Sequence, residues 1–546
     1  MIDIRKKSLY LETIRNGGIK IYGEASRHIC VLFTIFLLCL AMVCPAQQLR
    51  WGDQGNGTYI NPVLNADYSD PDVIRVGEKY YMVASDFNYM GIQMLESEDM
   101  VNWNIISQVY DHFDFPGWDE ASHYGRGSWA PSLRYHNGKY YVYFCTPDEG
   151  LIMSEAEDPH GPWAPLHTVK GIAKWEDPCP FWDEDGKAYL GHSLVGAGPI
   201  IIHKMSADGH ELLDDGVTVY TGPVAEGTKF LKRDGWYYLV IPEGGVSSGW
   251  QTVLRSRNIY GPYEKRVVLE QGPTDINGPH QGSLVDTPDG QWWFYHFQET
   301  RSLGRVLHMQ PVRWVDGWPM CGADIDFNGI GEPLHVSAKP QISHRQQPTL
   351  PQHSDEFDAT TPTWKGQRHD ALGLQWQWNH NADHSQWSLS ERKGWLTLHA
   401  MQASSLKTAR NTLTQKAMGY RGEVTALADS RNLAEGTHAG VTVMGSRQVG
   451  IGVCKTNGRL QFYRENNGEI ELLGNAGKAV WLRIEANGTT FTLHYSTDGK
   501  KFHQAGASVT VTNAYWKGPR LGLYCYSTGN SQGKVQFDYF RYDILE

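Results

Sequence analysis

Short runs of alternating apolar and polar residues recur along the first two-thirds of the chain. Each opens at a glycine: Gly77-Glu78-Lys79-Tyr80-Tyr81, Gly138-Lys139-Tyr140-Tyr141, Gly186-Lys187-Ala188-Tyr189, Gly235-Trp236-Tyr237-Tyr238 and Gly290-Gln291-Trp292-Trp293. The last four glycines follow Asp or Asn. An Asn-Gly or Asp-Gly step before alternating apolar residues predicts a β-hairpin, because both residue types tolerate the positive φ of a tight primed turn. Successive glycines stand 61, 48, 49 and 55 residues apart. A hairpin recurring at that interval predicts small sheets set around an axis, a five-bladed β-propeller.

Downstream of about residue 354 the period-two pattern continues without the repeat. Trp395-Leu396-Thr397-Leu398-His399, Gly440-Val441-Thr442-Val443-Met444, Phe491-Thr492-Leu493-His494-Tyr495 and Val535-Gln536-Phe537-Asp538-Tyr539-Phe540 read as strands. Short turns between them predict a sandwich or jelly roll. A stretch rich in Pro, Gln and His separates the two patterns. No long amphipathic helix is visible. The chain is therefore expected to be all-β, with a propeller over 47–337, a linker over 338–353 and a β-sandwich over 354–546. Within the propeller part, residues 47–58 read as a loose arm.

The residues ahead of each turn are chemically unusual. They read Ser69-Asp70-Pro71-Asp72-Val73, Trp129-Ala130-Pro131-Ser132-Leu133, Asp177-Pro178-Cys179-Pro180-Phe181, Glu226-Gly227-Thr228-Lys229-Phe230 and His280-Gln281-Gly282-Ser283-Leu284. Asp70, Trp129, Asp177, Glu226 and His280 precede their turn glycines by 7, 9, 9, 9 and 10 residues, which sets them at equivalent places in the five repeats. If these segments begin the innermost strands, three acids, an indole and an imidazole converge on one mouth of the channel. Hydrolysis of a glycosidic bond needs two carboxyl groups, one protonated and one ionised, and a third carboxylate nearby raises the pKa of the acid. Asp72 is the rival of Asp70, being two residues on and so on the same side of a strand.

Composition narrows the partners. Arg27-His28 and the apolar run Ile29–Val43, followed by Cys44-Pro45-Ala46, read as a secretory signal over 1–46. The mature protein is then expected in the periplasm or outside the cell, with no membrane attachment. Without those residues 43 basic side chains face 57 acidic ones. That balance argues against nucleic acid and anionic membranes and suits a neutral substrate. Aromatic residues make up 12% of the chain, a share that fits β-cores and sugar stacking. Cys145, Cys179, Cys321, Cys454 and Cys525 are scattered, with no disulfide framework or zinc spacing, and read as small buried residues. No feature of the sequence bears on oligomeric state.

The order of these motifs is specific. Asn61-Pro62-Val63-Leu64 with Ser69-Asp70-Pro71-Asp72, then Trp129-Ala130-Pro131, Trp175-Glu176-Asp177-Pro178, Ala225-Glu226-Gly227, and Gly304-Arg305 with Pro311-Val312-Arg313-Trp314, resembles glycoside hydrolase family 43. Leu372–Asn381 and Phe537–Tyr542 resemble the concanavalin-like sandwich attached to many β-xylosidases of that family. The resemblance implies an exo-acting, inverting enzyme that releases terminal β-D-xylose or α-L-arabinofuranose from pentose-containing oligosaccharides. It implies Asp70 as general base, Glu226 as general acid and Asp177 as the group that raises and orients the acid. Arg305 is then a clamp for substrate hydroxyls, with a structural ion pair as the other reading. Phe87 and Trp129 become walls of a sugar pocket. His280 resembles a channel histidine, placed here with the substrate-binding residues, which in some members holds a buried calcium ion or water; a neutral core histidine is the other reading. The chemistry requires no metal or cofactor, although a structural Ca2+ is compatible with it. The sandwich either binds polysaccharide or lends a loop that closes the pocket.

Two other functions stay open on the sequence. A retaining fructan hydrolase on the same scaffold carries an Asn-Asp-Pro-Asn nucleophile and a Glu-Cys acid motif, where this chain has Ser69-Asp70-Pro71-Asp72 and Glu226-Gly227. A non-catalytic carbohydrate-binding protein would be marked by loss of one of the three acids.

Overall fold

The computed structural model describes residues 49–342, 346–358 and 372–545. The expected signal segment lies outside them. Five antiparallel sheets follow in chain order, the first four of four strands and the fifth of five. Their inner two strands are Asp72–Val76 and Lys79–Val83, Trp129–His136 and Lys139–Thr146, Trp175–Trp182 and Ala188–Leu194, Lys229–Arg233 and Trp236–Glu243, and Leu284–Asp286 and Trp292–Thr300. Each glycine of the repeat sits in the turn between its pair with a positive φ. At Asn137-Gly138 and Asp234-Gly235 both turn residues have positive φ, the type I′ signature that the sequence pattern predicts.

The inner strands of the first three sheets pack side by side, that of the third beside that of the fourth, and that of the fifth beside that of the first. The fourth and fifth sheets also touch through their outer strands, Glu264–Leu269 and Trp318–Cys321. Leu64–Asp67 pairs with Gly304–Val315, so an early strand joins the last sheet. The architecture is that of a five-bladed propeller.

The expected loose arm is instead fixed, as far as the described residues show. Gly52–Asp53, Thr58–Ile60 and Val336–Ala338 form a three-stranded sheet, and Trp51 is buried. Asp53 and Asp99 both accept from Lys339 Nζ at 2.6 Å, which ties the start of the linker to the same place. An apolar anchor and a buried ion pair outweigh the flexibility that a Gly-rich composition implies.

Beyond the linker, two eight-stranded sheets stack face to face. The strands predicted from the pattern coincide with Leu396–His399, one residue shorter than expected at Trp395, and fall within Thr437–Met444, Thr490–Ser496 and Lys534–Ile544. Helix is confined, among the described residues, to the single 3-10 turns His384–Gln386 and Leu406–Thr408. The five cysteines after residue 46 are buried and unbonded.

The sandwich is seated on the propeller by backbone and by charge. Met90 N donates to Trp378 O at 2.9 Å, and Gly419 N to Asn65 O at 2.8 Å. Between the two units lies a buried cluster in which Asp86 receives Lys416 at 3.1 Å and Arg520 at 3.3 Å, and Asp67 receives Lys517 at 2.6 Å. Burial opposes the charge on Asp86, but the three cations outweigh it and hold its carboxyl down to about 2. Removing one partner of such a cluster costs about 3–5 kcal/mol, so the seat of the sandwich is firm.

Candidate active site

A cavity of about 450 Å³ opens where the inner strands begin, and Asp70, Glu176, Asp177 and Glu226 line it together with Phe87, Trp129, Gln281, Arg305 and Trp516. Its volume falls within the range of small-molecule sites. A larger cleft of about 630 Å³ has Asp275 as its one acid and therefore lacks a carboxyl pair.

The backbone explains how the acids turn inward. A left-handed residue recurs once per sheet at the strand entry: Asp70 (φ 54), Ala130 (φ 37), Asp177 (φ 55), Gly227 (φ 61) and Gln281 (φ 54). Outside glycine this conformation is uncommon and costs energy, so it persists where the surroundings over-determine it. The recurrence corrects the sequence alignment. Asp70 and Asp177 sit on the kink, whereas Trp129, Glu226 and His280 stand one residue before it. In the third sheet the kink coincides with a register shift between Glu176 and Cys179. That shift breaks the strand alternation, so neighbouring Glu176 and Asp177 both face the cavity.

Each acid has distinct partners. Asp70 Oδ2 accepts from Ser69 Oγ at 2.8 Å and Ser85 Oγ at 2.5 Å, and Oδ1 accepts from Arg305 Nη1 at 2.8 Å. Three donors thus fix the position of this carboxylate. Asp177 Oδ2 accepts from Gly227 N at 2.7 Å and Gln281 Nε2 at 3.2 Å. Asp177 thereby holds the backbone immediately after Glu226. Burial and then the negative Asp70 push the Asp177 carboxyl upward. Burial and then Asp177 do the same to Glu226. Glu176 is raised by burial, Asp177 and Glu226, and accepts from Ala197 N at 3.0 Å. The site thus sets Asp70, buried and held by three donors, against three carboxyls whose burial and mutual repulsion oppose ionisation.

Asp72 leaves the competition. It is fully buried, accepts from Leu133 N at 2.8 Å and pairs with Arg134 at 2.7 Å, and it does not line the cavity. Because the strand begins at Asp72, after the kink, the two aspartates do not share a face. Arg305 satisfies both of its readings: it pairs with Asp70 and lines the cavity. His280 does not line it, which corrects its placement among the substrate-binding residues. It is fully buried with its ring 5.3 Å from that of Phe297, while the kinked neighbour Gln281 fills the wall position. Burial holds the His280 ring down to about 4, hence neutral.

Trp516 was not legible as a site residue, since it comes from the sandwich. Its ring stacks on Phe87 with centroids 5.9 Å apart and meets Trp129 edge-on at 5.4 Å. Tyr515 and Trp516 both have positive φ in a tight turn closed by two hydrogen bonds of 2.9 Å between Ala514 and Lys517. Lys517 then donates to Ser85 O at 2.7 Å, the backbone of the residue whose hydroxyl holds Asp70. Glu176 and Gln281 are the other two side chains that the sequence motifs contained but did not single out.

Residues 59–319 match the sequence profile described as Glycosyl hydrolases family 43, and residues 368–543 match the Beta xylosidase C-terminal Concanavalin A-like domain. A protein of Xylanibacter ruminicola named "Putative beta-xylosidase" is 56% identical over 88% of both chains. A "Beta-xylosidase" of Formosa agariphila is 35% identical over 92% of this chain and 93% of its own. The crystal structure of a GH43 protein from Bacillus licheniformis superposes with a TM-score of 0.78 at 28% identity, covering 89% of this chain and all of that one.

Proposed function

The chain belongs to glycosyl hydrolase family 43 and is a glycosidase, and from that premise we propose that it removes terminal pentose, β-D-xylose or α-L-arabinofuranose, from oligosaccharides with inversion of configuration. The observation that carries this reading is the convergence of Asp70, Asp177 and Glu226 on one cavity beside Arg305.

Glu226, kept protonated by burial and by Asp177, donates its proton to the leaving glycosidic oxygen. Asp70, fixed by Ser69, Ser85 and Arg305, takes a proton from the attacking water on the opposite face of the ring. Asp177 sustains the protonation of the acid and anchors the chain at Gly227. Glu176, also uncharged, donates a hydrogen bond to a sugar hydroxyl. Phe87, Trp129 and Trp516 form the apolar wall. The sandwich turn narrows the cavity to a pocket, which favours release of a chain-end residue over cleavage within a chain. Xylopyranose and arabinofuranose present similarly placed hydroxyls without a large exocyclic arm, so one small pocket accepts either. Residues 1–46 act as an export signal that places this activity in the periplasm or outside the cell.

The direct test compares 4-nitrophenyl β-D-xylopyranoside and α-L-arabinofuranoside with the matching hexosides. Pentoside hydrolysis should dominate, and preference for a hexoside would reject the reading. Trp516→Ala should raise KM for the preferred pentoside about tenfold, or about 1.4 kcal/mol, through loss of the aromatic wall. An unchanged KM would remove Trp516 from the pocket.

Asp177→Asn should move the alkaline limb of the kcat/KM profile to lower pH. The sign follows from charge: a negative neighbour opposes ionisation of Glu226, so its removal lets Glu226 lose its proton at a lower pH. A shift of about one pH unit is expected from one nearby charge, and it is read from the pH dependence of kcat/KM. A limb that stays in place would separate Asp177 from the acid.

A further inference from the structure

The rim of the propeller carries a second acidic constellation, remote from the cavity. Asp324-Ile325-Asp326-Phe327-Asn328-Gly329-Ile330-Gly331-Glu332 follows the outer strand of the fifth sheet. Acidic or amide side chains occupy places one, three and five, glycine the sixth and glutamate the ninth. Loops that wrap a calcium ion space their ligands in this way, with glycine at the sixth place for the sharp turn. Here the closing glutamate comes at the ninth place, and Glu270, just past the outer strand of the fourth sheet, stands beside the loop. Carboxylate oxygens of Glu270, Asp326 and Glu332 lie within 4.8 Å of one another.

Two observations separate this cluster from an ordinary solvated acidic surface. Glu332 is fully buried, and although its Oε2 accepts from Ile325 N, its Oε1 has no partner. Asp324 likewise keeps a buried, unpartnered Oδ1. No lysine or arginine pairs with Glu270, Asp324, Asp326 or Glu332 among the described residues. A buried carboxylate oxygen without donor or cation is costly. Burial, with Asp326 and Asp324 adding, accordingly raises the Glu332 carboxyl. The loop is held shut at its base by Ala323 and Glu332, bonded both ways at 3.0 and 2.7 Å, and Glu270 N donates to Gly331 O at 2.9 Å. Gly329 has φ 88 and open space where a Cβ would be. The Asn328 amide donates to Glu270 at 2.6 Å and to Asp326 at 3.3 Å, so its dipole lies where a cation would.

We propose that Asp324, Asp326, Glu332 and Glu270 form a binding site for a calcium ion that clips the outer edges of the fourth and fifth sheets together. All four side chains offer hard oxygen ligands, the set that suits Ca2+, and nothing in the set is soft enough to select zinc or copper. Mg2+ is disfavoured because it keeps several waters and is held by one or two carboxylates, whereas this cluster gathers four. Turning the Asn328 amide would add a fifth oxygen. The ion acts on stability: it binds the folded state and raises its unfolding temperature by mass action. The two sheets it joins carry Glu226 and Arg305 at their inner ends, yet no step of the hydrolysis depends on the ion.

The full-length mature protein, stripped with EDTA and passed into metal-free buffer, is titrated calorimetrically with CaCl2 and, separately, MgCl2. One saturable calcium event is expected, weaker with magnesium, together with a rise of the thermal midpoint by several degrees at saturation. Asp326→Asn, on an exposed side chain, should weaken calcium binding roughly tenfold or more by removing ligand charge. It should abolish the thermal gain while leaving hydrolysis by the metal-free enzyme unchanged. Absence of a saturable event overturns the proposal. So does calcium binding of wild-type strength in Asp326→Asn, which would place the ion elsewhere.

Discussion

Replacing Glu226 by Gln is expected to lower kcat/KM on xylobiose by about 10³-fold, within the range of general acid–base catalysis. The same variant should lose much less on aryl glycosides with activated leaving groups. A sugar alkoxide is a poor leaving group and cannot depart without a proton, whereas a nitrophenolate needs almost none. The amide keeps the size of the side chain and the packing around Gly227, so the loss reports on the proton. Its source is legible in the surroundings: burial first, and then negative Asp177, keep the Glu226 carboxyl neutral at pH values where an exposed glutamate is ionised. Equal losses on both substrate types would show that Glu226 serves in binding or folding. Unchanged activity on xylobiose would end the assignment.

Asp70→Asn is expected to have an effect of comparable size with a different signature. Loss of the base removes activation of water, which the single displacement needs whatever the leaving group, so kcat/KM should fall by about 10³-fold or more on activated and unactivated substrates alike. The variant also leaves Arg305 facing an uncharged partner at 2.8 Å, which adds to the loss. Asp72→Asn is the matching control. Its carboxylate is buried against Arg134 and the Leu133 amide, so the change should cost about 3–5 kcal/mol of stability and leave the leaving-group dependence as in the wild type. A loss at Asp70 confined to poor leaving groups would exchange its role with that of Glu226.

The part of this architecture that the sequence makes legible is the part fixed by local chemistry. Gly138 and Gly235 need positive φ, and the Asn and Asp before them accept it, so those hairpins are written in single dipeptides. Strand alternation is equally local, which is why the sandwich strands fall where the apolar pattern places them. The three acids are legible because their neighbours, Pro71, Pro178 and Gly227, mark irregular backbone at each strand entry. What escapes is set by tertiary geometry. The left-handed kink lands on Ala130, Gly227 and Gln281, one residue past Trp129, Glu226 and His280, and counting from the turn glycine cannot reveal that offset. This is why His280 faces the interior and Gln281 takes the wall position. Glu176 looks like the outward partner of Asp177 under strict alternation, and only the register shift turns it inward. Trp516 lies hundreds of residues from Phe87 in the chain, and the turn that brings them together depends on Lys517 finding Asp67 and Ser85 across the interface. The segment around Trp51 reads as loose because its partner strand, Val336–Ala338, stands at the far end of the propeller sequence.

The central claim is that carboxyl groups from separate sheets act on opposite faces of one sugar ring, with water between ring and base. Proton NMR of the sugar first released from a β-xyloside reads this directly, before mutarotation mixes the anomers. The account predicts α-xylose as the initial product; β-xylose would mean attack by an enzyme carboxylate and would contradict it.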